Sequence, residues 1–194
     1  MSLLSLSNQT RPKWSPPDKG LYKINFEGVI FEDQACARLG VVIRDSARLI
    51  IGAISQKIRL PSSMVMVEAL AASQAISFAR EISILRVVVE GNSLQVIKAI
   101  NNAKPSKTSY GHIIDEIKLL SSSLPCCSFV HVRCEGNKLA HALVRKAILS
   151  ADMILIYFNK ISLHISQKIY IYIYIKNFIK IKVYNIFFKC DLLM

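Results

Sequence analysis

The chain has 194 residues, which suits one domain of ordinary size with some additional chain. Hydrophobic residues make up 52% and charged residues 20%, so there is enough apolar material for a core, which argues against wholesale disorder. The formal net charge of +12 favours a polyanionic partner, either nucleic acid or an acidic membrane surface, and the alternative is a lysine-rich protein without such a partner.

Turns, apolar alternation and capping residues predict an ordered series of elements over residues 14–150, preceded by an N-terminal arm over residues 1–13. In chain order we predict strands over 21–26, 39–44 and 49–58, a helix over 64–80, a strand over 85–89, helices over 93–101 and 110–120, a strand over 128–133 and a helix over 137–150. The order β-β-β-α-β-α-α-β-α predicts an α/β fold in which helices flank a mixed five-stranded sheet.

The composition changes abruptly after residue 150. Residues 169–189 read IYIYIYIKNFIKIKVYNIFFK, and every residue type there except Val183 has a codon made only of A and T. We interpret residues 151–194 as translated AT-rich non-coding sequence and not as a domain. The alternative is a membrane segment, but lysines interrupt its apolar runs well short of the roughly 20 residues that a spanning helix needs. We therefore expect no membrane partner.

The cysteines and the N-terminus bear on the compartment. The five cysteines contain no CxxC pair and no zinc-ligand spacing, which is typical of reduced thiols. The first residues lack a charged segment followed by a long apolar one, so they do not resemble a secretory signal peptide. We expect an intracellular protein, in the nucleus or the cytoplasm, that is not secreted.

Five motifs over residues 14 to about 147 carry a resemblance to a known family. They read KWSPPDKGLYKINFEG, LGVVIRD, MVEALAASQAI, VVVEGNSLQVIKAI and VHVRCEGNKLAHALV. In this order they resemble the ribonuclease H type-1 domain, and most of all its plant reverse-transcriptase-like, retrotransposon-derived branch. The resemblance implies a ribonuclease H-like fold, hydrolysis of the RNA strand of RNA–DNA hybrids with two Mg²⁺ ions, and a monomer with a nucleic-acid partner, hybrid or RNA, and no small-molecule substrate.

The same resemblance implies four catalytic positions, which are Glu27, Glu68, Asn92 and His141, with the first three as metal ligands. The family has Asp at the first and third of these positions, Glu at the second and an acidic residue at the fourth. Asn92 removes a charge, and Glu27 moves its carboxylate outward by one methylene. Two divalent ions need a dense cluster of oxygen ligands and negative charge. We therefore expect the second ion to be poorly held and turnover to be weak or absent.

Phosphate contacts come from Lys, Arg, backbone amides and polar side chains and need no metal, and the candidates for them are Asn25, Gly28, Ser93, Asn137, Arg44 and Lys98. Structural interpretations stay open: Glu27 as a solvated acid, Asn92 as the cap of the next helix, and His141 as a surface residue. The functional alternatives to a weakened nuclease are a non-catalytic nucleic-acid-binding remnant and a mobile-element relic without a selected function.

Overall fold

A computed structural model describes residues 14–146, 153–159, 168–175 and 178–185. The strands of the main domain are β1 (Tyr22–Phe31), β2 (Cys36–Arg44), β3 (Ile50–Arg59), β4 (Arg86–Gly91) and β5 (Cys126–His131). The helices are α1 (Met64–Glu81), α2 (Leu94–Asn101), α3 (Gly111–Ser122) and α4 (Lys138–Lys146). The strand order β5-β4-β1-β2-β3 confirms the predicted mixed five-stranded sheet.

Connection length decides which strands pair in parallel. β1, β2 and β3 follow one another through short turns and pair antiparallel. β4 pairs in parallel with both β1 and β5. The chain passes through β2, β3 and α1 between β1 and β4, and through α2 and α3 between β4 and β5. β4 is therefore an interior strand, flanked by β5 and β1, and its carboxyl end lies beside β1.

The helices form two unequal layers on the sheet. The larger core lies between the sheet and α1, whose buried alanines let the helix approach closely. A smaller cluster forms under α4, around Val42, Ala53 and Ala140. Gly40 in β2 makes this second contact possible, because a Cβ there would overlap Val144 of α4. Side chains alternate between faces along β1, so Phe26 points toward α1 and Glu27 toward α4.

Serines cap the first two helices, and the cap of α2 is Ser93 and not Asn92, which corrects the structural interpretation of Asn92. Ser63 caps α1 through a hydrogen bond from the Met66 N–H to its Oγ at 3.3 Å. Ser93 caps α2 in the same way, accepting from the Val96 N–H at 3.4 Å. Each cap satisfies one of the backbone N–H groups that the first turn of a helix leaves unpaired.

β1 is longer than predicted, and this corrects the position of Glu27. The predicted strand ends at Phe26, whereas the observed strand continues to Phe31 because it pairs with β2 as far as Cys36. Pairing of β1 with β4 stops at Asn25, opposite Glu90. Glu27 therefore lies inside β1, just past the last residue of β1 that pairs with β4, and not at the end of the strand. The strand predicted over 128–133 is also displaced, since β5 covers Cys126–His131.

Three further strands extend the sheet beyond β3. β6 (Met153–Asn159) pairs antiparallel with β3, and β7 (Lys168–Ile175) and β8 (Phe178–Asn185) continue as an antiparallel meander. The interpretation of residues 151–194 as something other than a domain stays a prediction. Among the described helices, none is long and apolar enough to cross a membrane.

Deleting residues 153–194 is expected to leave the main domain folded and to raise its solubility. Both described core clusters lie within residues 24–144, so the deletion removes none of their side chains. The deleted Ile-Tyr alternation has high β propensity and promotes association when exposed. Circular-dichroism melting and size-exclusion chromatography test this, and loss of the cooperative transition would contradict it.

Candidate active site

The site is organised around the carboxylate of Glu27, whose residue is 4% exposed. Oε2 accepts a hydrogen bond from Asn137 Nδ2 at 2.6 Å. Oε1 accepts from His141 Nδ1 at 3.2 Å and from Asn92 Nδ2 at 3.4 Å. Residues that are 65 to 114 positions apart in the chain therefore meet at one carboxylate.

Three structural elements bring these donors to β1. Asn92 directly follows β4, and Gly91 before it has no room for a Cβ, which would overlap the Phe26 ring. Asn137 precedes α4 and uses the same Nδ2 to donate to the Phe26 carbonyl at 2.7 Å. This bond ties the start of α4 to β1 and places His141, one turn further along α4, over Glu27.

Glu68 enters the site from the first turns of α1 and is 5% exposed. Its Oε2 accepts from the Gly28 N–H at 3.3 Å. Burial, and after it the negative charge of Glu27, raise the pKa of this carboxyl to about 8 against the opposing effect of the Gly28 N–H. Glu68 therefore carries a proton at neutral pH. A Cβ at Gly28 would be 2.7 Å from Val67 Cγ1, so glycine is what lets α1 come this close.

The two ring nitrogens of His141 have different partners. Nε2 accepts from Arg145 Nε at 2.9 Å. A guanidinium can only donate, so Nε2 is unprotonated and Nδ1 carries the proton that it donates to Glu27. Arg145 was not predicted from the sequence, although its position four residues after His141 on a helix is a signal that could have found it.

The donor set does not fit two magnesium ions. Glu27 supplies one carboxylate that already accepts three N–H groups, and Glu68 supplies a second whose negative charge is disfavoured by its burial and by the charge of Glu27. Asn92 Oδ1 is buried and has no hydrogen-bond partner in the described part of the chain, so it is one available oxygen, but a neutral one. Within that part, no group of three or more His, Cys, Asp or Glu side chains is placed to hold a metal ion. Glu27, Asn92 and His141 form one hydrogen-bonded cluster, and Glu68, bonded to the Gly28 N–H, lies near enough for the charge of Glu27 to raise its pKa.

Two of the predicted nucleic-acid contacts lie in a separate polar network. Asn25 is fully buried, donates to Glu90 Oε2 at 3.0 Å and accepts from Arg44 Nη2 at 2.6 Å. Glu90 also pairs with Lys23 at 2.8 Å, and the Arg44 guanidinium stacks on the Trp14 ring at 3.4 Å. Burial lowers the pKa of Arg44, the charge of Glu90 partly offsets this, and the resulting pKa is about 10. Glu90 is engaged here, so it does not replace the missing acid.

The other four residues predicted to contact nucleic acid differ in their solvent exposure. Lys98 is exposed on α2, and Ser93 is half-buried with its hydroxyl used as the α2 cap. Gly28 and Asn137 are buried. The role of all six residues in binding nucleic acid stays a prediction, and Lys98 is the one whose charged group faces solvent.

Replacing Asn137 by Ala is expected to destabilise the fold by about 1–3 kcal/mol, because two buried oxygens, of Glu27 and Phe26, lose their shared donor. Asn101→Ala is the matched control, since Asn101 donates one exposed hydrogen bond to the Phe129 carbonyl. We expect its effect to stay within about 0.5 kcal/mol. Urea denaturation measures both changes, and equal losses would contradict the clamping role of Asn137.

Comparison with known proteins agrees with this architecture. The sequence profile of the reverse transcriptase-like family matches residues 25–147. The chain belongs to this family. No match was found among curated proteins.

Solved structures show the same fold. RNase H1 from the halophilic archaeon Halobacterium salinarum NRC-1 is 20% identical, with a TM-score of 0.60 over 66% of this chain and 96% of that one. The N-terminal RNase H domain of rv2228c from Mycobacterium tuberculosis is 16% identical, with a TM-score of 0.58 over 66% and 92%. LC11-RNase H1, solved in complex with an RNA/DNA hybrid, is 22% identical, with a TM-score of 0.58 over 66% and 96%. At these identities the likeness establishes the ribonuclease H-like fold, and the activity has to be argued from the site.

Proposed function

We propose that the chain is a nucleic-acid-binding ribonuclease H-like domain with little or no magnesium-dependent cleavage of RNA–DNA hybrids. One observation carries this proposal. The Glu27 carboxylate is held by three N–H donors, from Asn137, His141 and Asn92, at the position where the family's chemistry needs a cluster of acids.

The amide of Asn92 is the decisive difference. In two-metal sites, ions roughly 3.5–4 Å apart clamp the attacking and leaving oxygens. Their mutual repulsion is offset only by several carboxylates. The Asn92 NH₂ group donates a hydrogen bond to the Glu27 carboxylate and so stabilises its negative charge without a metal ion. This favours a site that is stable without metal and a poor ligand set with it.

The net positive charge of the chain supports binding to nucleic acid. Residues 1–150 carry 19 Lys and Arg against 11 Asp and Glu, so the basic character does not depend on the residues after them. Among solved structures with this fold, LC11-RNase H1 is in complex with an RNA/DNA hybrid. A foamy viral protease-reverse transcriptase, 17% identical with a TM-score of 0.51 over 65% of this chain and 91% of that one, is in complex with dsDNA. Contacts to phosphate come from Lys, Arg and backbone N–H groups and persist without metal.

Fluorescence anisotropy with labelled hybrid, duplex DNA and single-stranded RNA in EDTA tests binding, and release of labelled RNA in magnesium tests cleavage. We expect metal-independent binding that weakens with salt, and intact hybrid. Lys98→Gln is expected to lower the salt slope by about one. Arg80→Gln is the matched control, because Arg80 is exposed on α1 about 18 Å along the helix from Glu68. Absence of binding, or efficient hybrid cleavage in magnesium, would defeat the proposal.

A further inference from the structure

An exposed leucine and an open pocket lie side by side where α1 and α3 end. Leu119 of α3 is 73% exposed, more than any other large apolar side chain in the described part of the chain. The pocket has a volume of about 610 Å³ and is lined by Ser77, Arg80, Glu81, Leu85, Ser123 and Leu124. Ser123 follows Leu119 by one helical turn, so the leucine stands at the edge of the pocket. We call Leu119, its helical neighbours and the pocket the α1–α3 face.

The pocket has the composition of a receiving site for an apolar side chain. Leu85 and Leu124 supply apolar surface, and Arg80, Glu81 and two serines surround it with polar groups. A leucine exposed singly is ordinary on a protein surface. This one adjoins a pocket with ample room for a leucine side chain, and a second copy of the chain would bring both features to both sides of a contact.

Charges on the α1–α3 face are nearly balanced, unlike those of the whole chain. The exposed acids Glu81, Asp115 and Glu116 stand beside the basic residues Arg80 and Lys118, whereas the chain carries 25 Lys and Arg against 13 Asp and Glu. Two copies of so basic a chain repel each other less where a balanced surface meets its own copy. The side chains of Glu116 and Arg80 have no hydrogen-bond or ion-pair partner in the residues that the structure describes, so each is available to an opposite charge on another molecule.

We propose that two copies of the chain associate through the α1–α3 face about a two-fold axis. The rotation that places Leu119 of one copy in the pocket of the other also does the reverse, which closes the assembly at two copies. Glu116, one turn before Leu119, then meets the rim of the facing pocket, where Arg80 of the second copy lies. Glu68 is near the other end of α1, about 18 Å along the helix from Arg80, so both candidate sites stay open. This goes beyond the proposed function and departs from the monomer that the family resemblance implies.

Sedimentation equilibrium of the full chain measures the association. The face is small, so we expect a weak dimer that forms in the upper micromolar range. Leu119→Ser should raise the dissociation constant at least about tenfold, because it removes the side chain at the centre of the contact. Leu94→Ser is the matched control, since Leu94 is 46% exposed on α2 and lies outside the face, and its dimer should equal that of the unmodified chain.

Charge exchange identifies the second copy as the partner. Glu116→Arg and Arg80→Glu should each weaken the dimer several-fold, because each places like charges together across the axis. The two changes in one chain should restore it, which is the non-additivity expected of residues in direct contact. Anisotropy and urea denaturation are measured below this concentration range, where the chain is monomeric, so Arg80→Gln and Glu81→Gln act there without this contact.

The other outcomes count against the inference. A chain that stays monomeric at every concentration overturns it and leaves the proposed binding function in place. Association that Leu119→Ser retains, for example through the Ile-Tyr strands, overturns it as well. Association that Leu94→Ser weakens as much as Leu119→Ser does, or that the exchanged charges fail to restore, overturns the assignment of this face.

Discussion

The double substitution Asn92→Asp with Glu27→Asp is expected to create magnesium-dependent cleavage of RNA–DNA hybrids, at least about a hundredfold above the unmodified chain. Glu27→Asp draws its carboxylate back by one methylene, and Asn92→Asp exchanges a neutral amide for a second negative charge. Of the two single changes, Asn92→Asp should help more, since it adds charge whereas the other only moves it. Release of labelled RNA from a hybrid measures the effect, with single-stranded RNA as the control substrate.

The hydrogen bond from Asn92 to Glu27 gives this experiment a second readout. Without metal, a carboxylate at position 92 would face that of Glu27, whose oxygen is 3.4 Å from the present Asn92 Nδ2. Like charges that close repel each other, so Asn92→Asp should lower the melting temperature in EDTA and magnesium should restore it. Asn101→Asp, on the exposed end of α2, controls for a general effect of added charge and should show no magnesium dependence.

One further variant and one change of metal ion test this interpretation. Glu68→Gln in the doubly substituted background should abolish cleavage, because it removes the remaining acid from α1. Manganese should partly activate the unmodified chain, as it binds mixed oxygen and nitrogen ligands more tightly than magnesium does. A double variant that folds and binds hybrid but stays inactive would show that more than these two positions separate the chain from catalysis.

The stability of the unmodified chain is expected to fall as pH rises from about 5 to 8.5, because of Glu68. The folded-state pKa of its carboxyl is raised from 4.5 to about 8, so the folded chain holds a proton that the unfolded chain has released. The stabilisation by the protonated form is complete below the unfolded pKa and is lost as pH rises through the folded pKa. The full shift corresponds to about 5 kcal/mol at most.

Glu68→Gln should remove most of this pH dependence, since the amide resembles the protonated carboxyl in size and neutrality. We expect the variant to match the unmodified chain near pH 5 and to exceed its free energy of unfolding by several kcal/mol near pH 8.5. Glu81→Gln, at the exposed end of the same helix, is the control and should leave the profile unchanged. Urea denaturation across this range measures it, and parallel profiles for all three proteins would contradict the origin given for the effect.

The sequence by itself determined the type and order of the elements and the mixed five-stranded sheet. These follow from short-range signals: alternation in β1 to β3, a continuous apolar run in β4 and an alanine-rich stretch in α1. The resemblance of its motifs also implied four site positions, of which the structure joins Glu27, Asn92 and His141 by hydrogen bonds. The errors of the sequence-based prediction were at element ends, as in β1, because the end of a strand depends on how far its neighbour continues to pair with it.

Only the tertiary structure decided which polar groups contact one another. Asn137 proved to be the clamp on Glu27, Asn25 and Arg44 proved to be engaged with Glu90, and Arg145 determined the tautomer of His141. Asn137 and His141 reach Glu27 across 110 and 114 positions of the chain. Local patterns report the periodicity of burial along one segment, whereas a buried hydrogen bond depends on the relative placement of segments that only folding brings together.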